Sequence, residues 1–191
     1  MKVIAINGSP RINGNTSRLL KKALDLLAVQ GFETELIQLG GTAVRGCTAC
    51  GQCRVNQNQR CVINNDMINE CIAKMIDADG IIIGSPTYFA NMTTEIKALI
   101  DRAGYVARGN GNLFRRKVGA AVVVFRRAGA INAFNSINDF FLINEMIVPG
   151  SSYWNLGMGR EQGDVEGDAE GLNTVNVLSE NISWLLQKIS Q

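Results

Sequence analysis

A chain of 191 residues with 46% hydrophobic and 19% charged residues has the size for one full core and the composition of neither a disordered nor a membrane-embedded protein. Its net charge of +2 is too small, and its basic residues too dispersed, to point to nucleic acid. It contains no histidine, which removes Ser-His-Asp and Cys-His nucleophile systems, the usual zinc-hydrolase ligand sets and the commonest general base, so difficult chemistry here falls to a cofactor.

The chain opens on Val3-Ile4-Ala5-Ile6-Asn7, a Val/Ile-biased run that predicts a strand buried on both faces. Gly8 to Ser17 is a loop of small, hydroxyl- and amide-bearing residues with one arginine. Apolar residues at 19, 20, 23, 24 and 27 then keep the spacing of one helix face. Such a strand, turn and helix brings free N–H groups, the positive helix end and the hydroxyls of Ser9, Thr16 and Ser17 into one small volume suited to a phosphate. The plainer alternative is a turn capped by Asn15 or Thr16.

Glu33 to Leu39 predicts a more polar second strand near an edge, after a helix stop at Gly31. Residues 40–61 are irregular. Asn65 or Asp66 is placed to cap a helix to about Ala78, with Ile68, Cys71, Ile72, Met75 and Ile76 as its buried stripe. Ile81-Ile82-Ile83 predicts a central third strand, followed by the loop 84–92 and a helix with Ile96, Leu99, Ile100 and Ala103 inward. A fourth central strand falls within 117–125, then the loop 126–130 and a helix to about Asn144. Met146-Ile147-Val148 predicts a short fifth strand, stopped by Pro149-Gly150. A glycine-rich, acidic loop leads to a last amphipathic helix marked by Leu172, Val175, Leu178, Ile182, Leu185, Leu186 and Ile189.

Strand and helix patterns thus alternate about five times, which implies a doubly wound parallel α/β sheet with helices on both faces. In open sheets of this kind ligands bind beyond the carboxyl ends of the strands. The loops 8–17, 84–92 and 125–130 all leave such ends and are expected to form one site. No apolar run reaches the ~18 residues of a membrane span, and no basic-then-apolar leader is seen. A single domain over 1–191 in the cytoplasm is expected, with a cysteine-rich insertion at about 40–64 after the second strand.

Gly8-Ser9-Pro10-Arg11 with Gly14-Asn15-Thr16, then Gly84-Ser85-Pro86-Thr87-Tyr88-Phe89, then Ile96-Lys97-Ala98-Leu99-Ile100-Asp101-Arg102 resemble the NADPH-dependent FMN reductase branch of the flavodoxin-like superfamily. The resemblance is specific through residue 102 and looser after the fourth strand. It implies a five-stranded sheet in the order 2-1-3-4-5. It also implies that Ser9, Arg11, Asn15, Thr16 and Ser17 hold the FMN phosphate, and that Pro86, Thr87, Tyr88 and Phe89 lie against the flavin ring. The third loop, through Arg127, Ala128 and Gly129, is assigned to the cofactor as well. Tyr88 and Phe89 also read as core aromatics. Arg126-Arg127 departs from the small residues usual in that loop. The pair suits a nicotinamide dinucleotide phosphate or an anionic substrate, and equally a surface or oligomer contact. No Gly-x-Gly-x-x-Gly follows the first strand, which argues against a dinucleotide-binding Rossmann domain.

Four of the five cysteines fall in the pattern C-x2-C-x2-C-x7-C at Cys47, Cys50, Cys53 and Cys61, whereas Cys71 sits on a helix stripe and reads as packing. Disulfides are not expected in a cytoplasmic chain. Four thiolates this close suit a [4Fe–4S] cluster; zinc and unmetallated, reactive thiols are the alternatives. The arrangement resembles the iron–sulfur flavoproteins of the same family, which implies these four cysteines as ligands. The combined expectation is an FMN-dependent oxidoreductase that moves electrons between NAD(P)H or ferredoxin and a small acceptor. A flavodoxin-type carrier and a thiol-based sensor are the rivals, although flavodoxins proper are strongly acidic and this chain is not. No acid/base residue is indicated. An exposed flavin face, or the loop 150–168 with Tyr153 and Trp154, suits a homodimer or homotetramer.

Overall fold

A computed structural model describes residues 1–189. Its elements, in order, are β1 (Lys2–Asn7), α1 (Asn15–Val29), β2 (Glu33–Gln38), α2 (Gln52–Asn56), α3 (Ile68–Asp77), β3 (Gly80–Pro86), α4 (Thr94–Gly109), β4 (Val118–Phe125), α5 (Ala130–Ile143), β5 (Leu156–Met158), a 3-10 turn at Asp164–Gly167 and α6 (Ala169–Ile189). The strands pair in parallel in the order β2-β1-β3-β4-β5.

Strand periodicity splits the core into two layers. Ile4, Ile6, Ile81, Ile83, Ala121 and Val123 face one side, under Ile72, Met75, Ile96, Leu99, Phe140 and Phe141 of α3, α4 and α5. Val3, Ala5, Ile82, Ala120, Val122 and Val124 face the other, under Leu19, Leu20, Leu24, Val175, Leu178 and Ile182 of α1 and α6. Consecutive strand residues thus alternate layers, which is why the central strands read as unbroken apolar runs.

Two expectations are corrected. The fifth strand is Leu156–Met158, not 146–148. Ile147 makes only a single bridge to Val118, at the opposite end of β4 from β5. Between them the chain leaves the edge, and Asn155 fills the gap: its Nδ2 donates to the Ala121 carbonyl at 3.0 Å. Gly157 gives β5 no apolar signature, yet a larger residue there would have to displace Leu19, because a Cβ would lie 2.4 Å from its Cδ1. The second correction is α2, a five-residue helix within the cysteine segment that is too short to show a periodicity. It packs against α4.

Candidate functional site

The three loops expected to converge do so. The Thr87 N–H donates to the Val124 carbonyl at 2.7 Å, which ties the β3 loop to β4. Gly129, in the left-handed region at φ +84, comes so close to Ala90 that a Cβ would lie 3.1 Å from its Cα. The resulting cleft of about 240 Å³ is lined by Ser9, Arg11, Asn15, Thr16, Pro86, Thr87, Tyr88, Val124, Phe125, Arg126, Gly159 and Arg160.

The floor of the cleft is the start of α1. Gly14 precedes the helix in extended conformation and no side chain caps it, so the first N–H groups keep no intrahelical partner. Ser9 is held from below, its N–H donating to Asn7 Oδ1 at 3.1 Å, while Gln38 Nε2 donates to the Ser9 carbonyl at 2.7 Å. Ser17 is fully buried in the first turn and its Oγ has no partner; Thr87 Oγ1 is likewise buried and unpartnered.

Some of the sequence candidates take other positions. The Asn15 amide is engaged in holding the loop after β5: Nδ2 donates to the Glu161 carbonyl and Oδ1 accepts from the Gly163 N–H, both at 2.8 Å. Arg126, rather than Arg127, lines the cleft, while Arg127 and Ala128 are exposed. Tyr88 lines the cleft half-exposed and Phe89 is fully exposed, so neither is a core aromatic. Residues 88–91 form a tight turn in which the Tyr88 N–H donates to the Asn91 carbonyl at 2.8 Å, with Phe89 and Ala90 at φ 48 and 61. Gly159 and Arg160 are the wall that sequence reasoning missed. They follow β5; a strand placed at 146–148 leaves them in the long loop 150–168, which the sequence ties to oligomerisation and not to the wall of this chain's own cleft.

A second cavity, of about 160 Å³, lies in the segment after β2 and brings together Cys47, Cys50, Cys53 and Cys61, with Arg102 and Tyr105 of α4 behind them. All five cysteines are free thiols. Side chains of α3 and α4 hold the segment. Asn69 Oδ1 accepts from the Cys61 N–H at 2.8 Å and its Nδ2 donates to the Cys61 carbonyl at 2.9 Å; Asn110 Nδ2 donates to the Cys53 carbonyl at 3.1 Å. Burial raises the Cys53 thiol pKa, whereas the Gln52 N–H lowers that of Cys50. Cys71 lies outside this group, and burial pushes it up to about 12, as suits a packing residue. Among the described residues no three His, Cys, Asp or Glu side chains converge closely enough to hold a single metal ion.

The model of the NADPH-dependent FMN reductase family matches residues 1–161. An iron–sulfur flavoprotein of Methanocaldococcus jannaschii is 38% identical over the full length of both chains. One of Methanosarcina thermophila is 36% identical, covering all of this chain and 98% of that one. Among solved structures, a flavodoxin from the domain Archaea superposes with a TM-score of 0.64 at 16% identity, covering 98% of this chain and 99% of that one, a likeness of fold alone. No helix among the described residues is long and apolar enough to cross a membrane. Strand order and matched sequence agree: the chain belongs to the NADPH-dependent FMN reductase family, alongside the iron–sulfur flavoproteins.

Proposed function

We propose that the cleft binds FMN and that this chain is an oxidoreductase moving electrons between NAD(P)H or ferredoxin and a small acceptor. The observation that carries the reading is the uncapped start of α1 with two buried, unpartnered hydroxyls, Ser17 Oγ and Thr87 Oγ1. Buried hydroxyls left unpaired are costly and rare. A phosphate over the first turn of α1 satisfies Ser17 and the free N–H groups, and the polar edge of a flavin ring satisfies Thr87. Ser9, Arg11 and Thr16 would bind the phosphate, with Asn15 fixing the wall beside it. Pro86, Thr87 and Tyr88 would orient the ring, with Phe89 and the 127–129 loop at the rim. Arg11, Arg126 and Arg160 line the cleft, Arg160 paired with Glu161, and these guanidinium groups favour a dinucleotide phosphate or a carboxylate-bearing acceptor.

The donor set of the second cavity suits an iron–sulfur cluster better than one zinc. Zinc gathers four sulfurs at about 2.3 Å from a single point, whereas the ligands of a cluster each take a different iron around a larger core. Four thiols line one cavity here, three of them at successive x2 spacings with a fourth beyond, whereas zinc ribbons use two separated pairs. Cys47, Cys50, Cys53 and Cys61 would hold the cluster. When bound, FMN accepts hydride and releases electrons singly, and the cluster exchanges single electrons. Five free thiols suit a reducing compartment such as the cytoplasm.

Absorbance and iron analysis of anaerobically purified protein tests both groups: flavin bands plus broad iron–sulfur absorption are expected. Flavin bands alone remove the cluster, and no flavin after incubation with FMN overturns the reading. Steady-state oxidation of NAD(P)H then identifies the donor. Failure with both nucleotides, with rapid reduction by ferredoxin, leaves ferredoxin in that role.

A further inference from the structure

Arg102 lies two turns along α4 with its side chain fully buried, 0% exposed, against an Asp66 carboxylate that is 3% exposed. Nη1 donates to Asp66 Oδ2 at 2.5 Å and to the Arg45 carbonyl at 3.0 Å, and Nη2 donates to the Ile63 carbonyl at 2.7 Å. Arg45 stands just before Cys47 and Ile63 just after Cys61. One guanidinium therefore ties both ends of the four-cysteine segment to α4. Its third nitrogen, Nε, is buried without a hydrogen-bond partner, on a side chain that lines the cysteine cavity. A buried ion pair kept only for stability has no reason to leave a charged donor unsatisfied beside a cavity rimmed by sulfur.

We infer that Arg102 is the positioning residue of the cysteine site: its terminal nitrogens close the segment, and its Nε–H donates to a sulfur held in the cavity. Where that sulfur belongs to a cluster, the hydrogen bond favours the reduced, more negative state and raises the reduction potential. The potential rests on the cluster proposed above; the closure of the segment does not.

Arg102→Lys keeps the charge and loses the planar fork. The test compares it with wild type, each FMN-loaded and reconstituted anaerobically with ferrous iron and sulfide. Iron per chain is counted, the midpoint potential is titrated with spectroscopic readout, and iodoacetamide labelling of each cysteine is timed in the iron-free protein. The variant is expected to hold less iron, to titrate at a lower potential in what it retains, and to label several-fold faster at Cys47 and Cys61 with Cys71 unchanged. Wild-type iron content, potential and labelling in the variant would overturn the inference. If wild type takes up no iron, the cluster reading fails and labelling alone decides: faster in the variant supports closure, unchanged overturns it. Flavin retention and circular dichroism report folding. If Arg102→Lys does not fold, Asp66→Asn, which leaves the guanidinium and both carbonyl acceptors, is read on the same three measurements.

Discussion

Thr16 and Ser17 hold the second and third positions of α1, where N–H groups lack intrahelical partners and hydroxyls can join them around an anion. Thr16→Val removes one hydroxyl and keeps the side-chain shape. A hydrogen bond to a charged group contributes about 1.5–3 kcal/mol, so FMN binding is expected to weaken roughly 10- to 100-fold, measured by quenching of flavin fluorescence. Asp66 gives a pH prediction. Burial pushes its carboxyl up, but the Arg102 guanidinium and the N–H groups of Arg45 and Ile68 outweigh that and hold it below its ordinary 3.8. A depressed carboxyl adds stability above its unfolded pKa and loses it as pH falls through the folded one. Wild type should therefore exceed Asp66→Asn by about 3–5 kcal/mol near neutrality. The part of that gap supplied by the depressed carboxyl should be lost progressively as pH falls below about 4, as urea midpoints at a series of pH values would show.

At the scale of elements, β5 couples the sheet edge to the cleft. Gly157 lets it seat on Leu19 of α1, and two residues later Gly159 and Arg160 form the cleft wall. Gly157→Val should destabilise the fold by about 1–3 kcal/mol through overpacking and, by displacing that wall, weaken FMN binding as well; urea unfolding and flavin titration check the two parts. This element was also the least legible in the sequence. Met146-Ile147-Val148 has the β-branched apolar look of a strand, but Pro149 ends it after one bridge to β4. Leu156-Gly157-Met158 lacks that look and becomes a strand because the rest of β4's edge still needs pairing. Strands β1, β3 and β4 were readable because each is a run buried on both faces. Helices α1, α3, α4 and α6 announced themselves by their stripes, as at Leu19, Leu20, Ala23, Leu24 and Leu27 in α1.

For the whole molecule, parallel strands send every following loop to one edge, so segments far apart in the chain share a cleft. Above it, Phe89 stands fully exposed on a turn whose two central residues, Phe89 and Ala90, both occupy left-handed backbone, at about 1–2 kcal/mol each. Strain that presents an aromatic side chain to solvent suits a contact with another chain. Flavin-loaded protein is expected to sediment as a dimer or tetramer, and Phe89→Asp to shift it toward monomer; a monomeric wild type removes this expectation. The sequence by itself determined the layered α/β architecture, the small, hydroxyl-bearing loop at 8–17 between β1 and α1, and the grouping of four cysteines, because burial periodicity and short-range spacing are properties of neighbouring residues. Only the tertiary structure decided that Asn15 holds a wall, that Arg126 rather than Arg127 faces the cleft, and that Arg102 closes the cysteine segment. Asn15 and Arg102 depend on partners distant in sequence, Glu161 and Ile63, and Arg126 on a cleft assembled from separate strands; such surroundings exist only once the chain has packed.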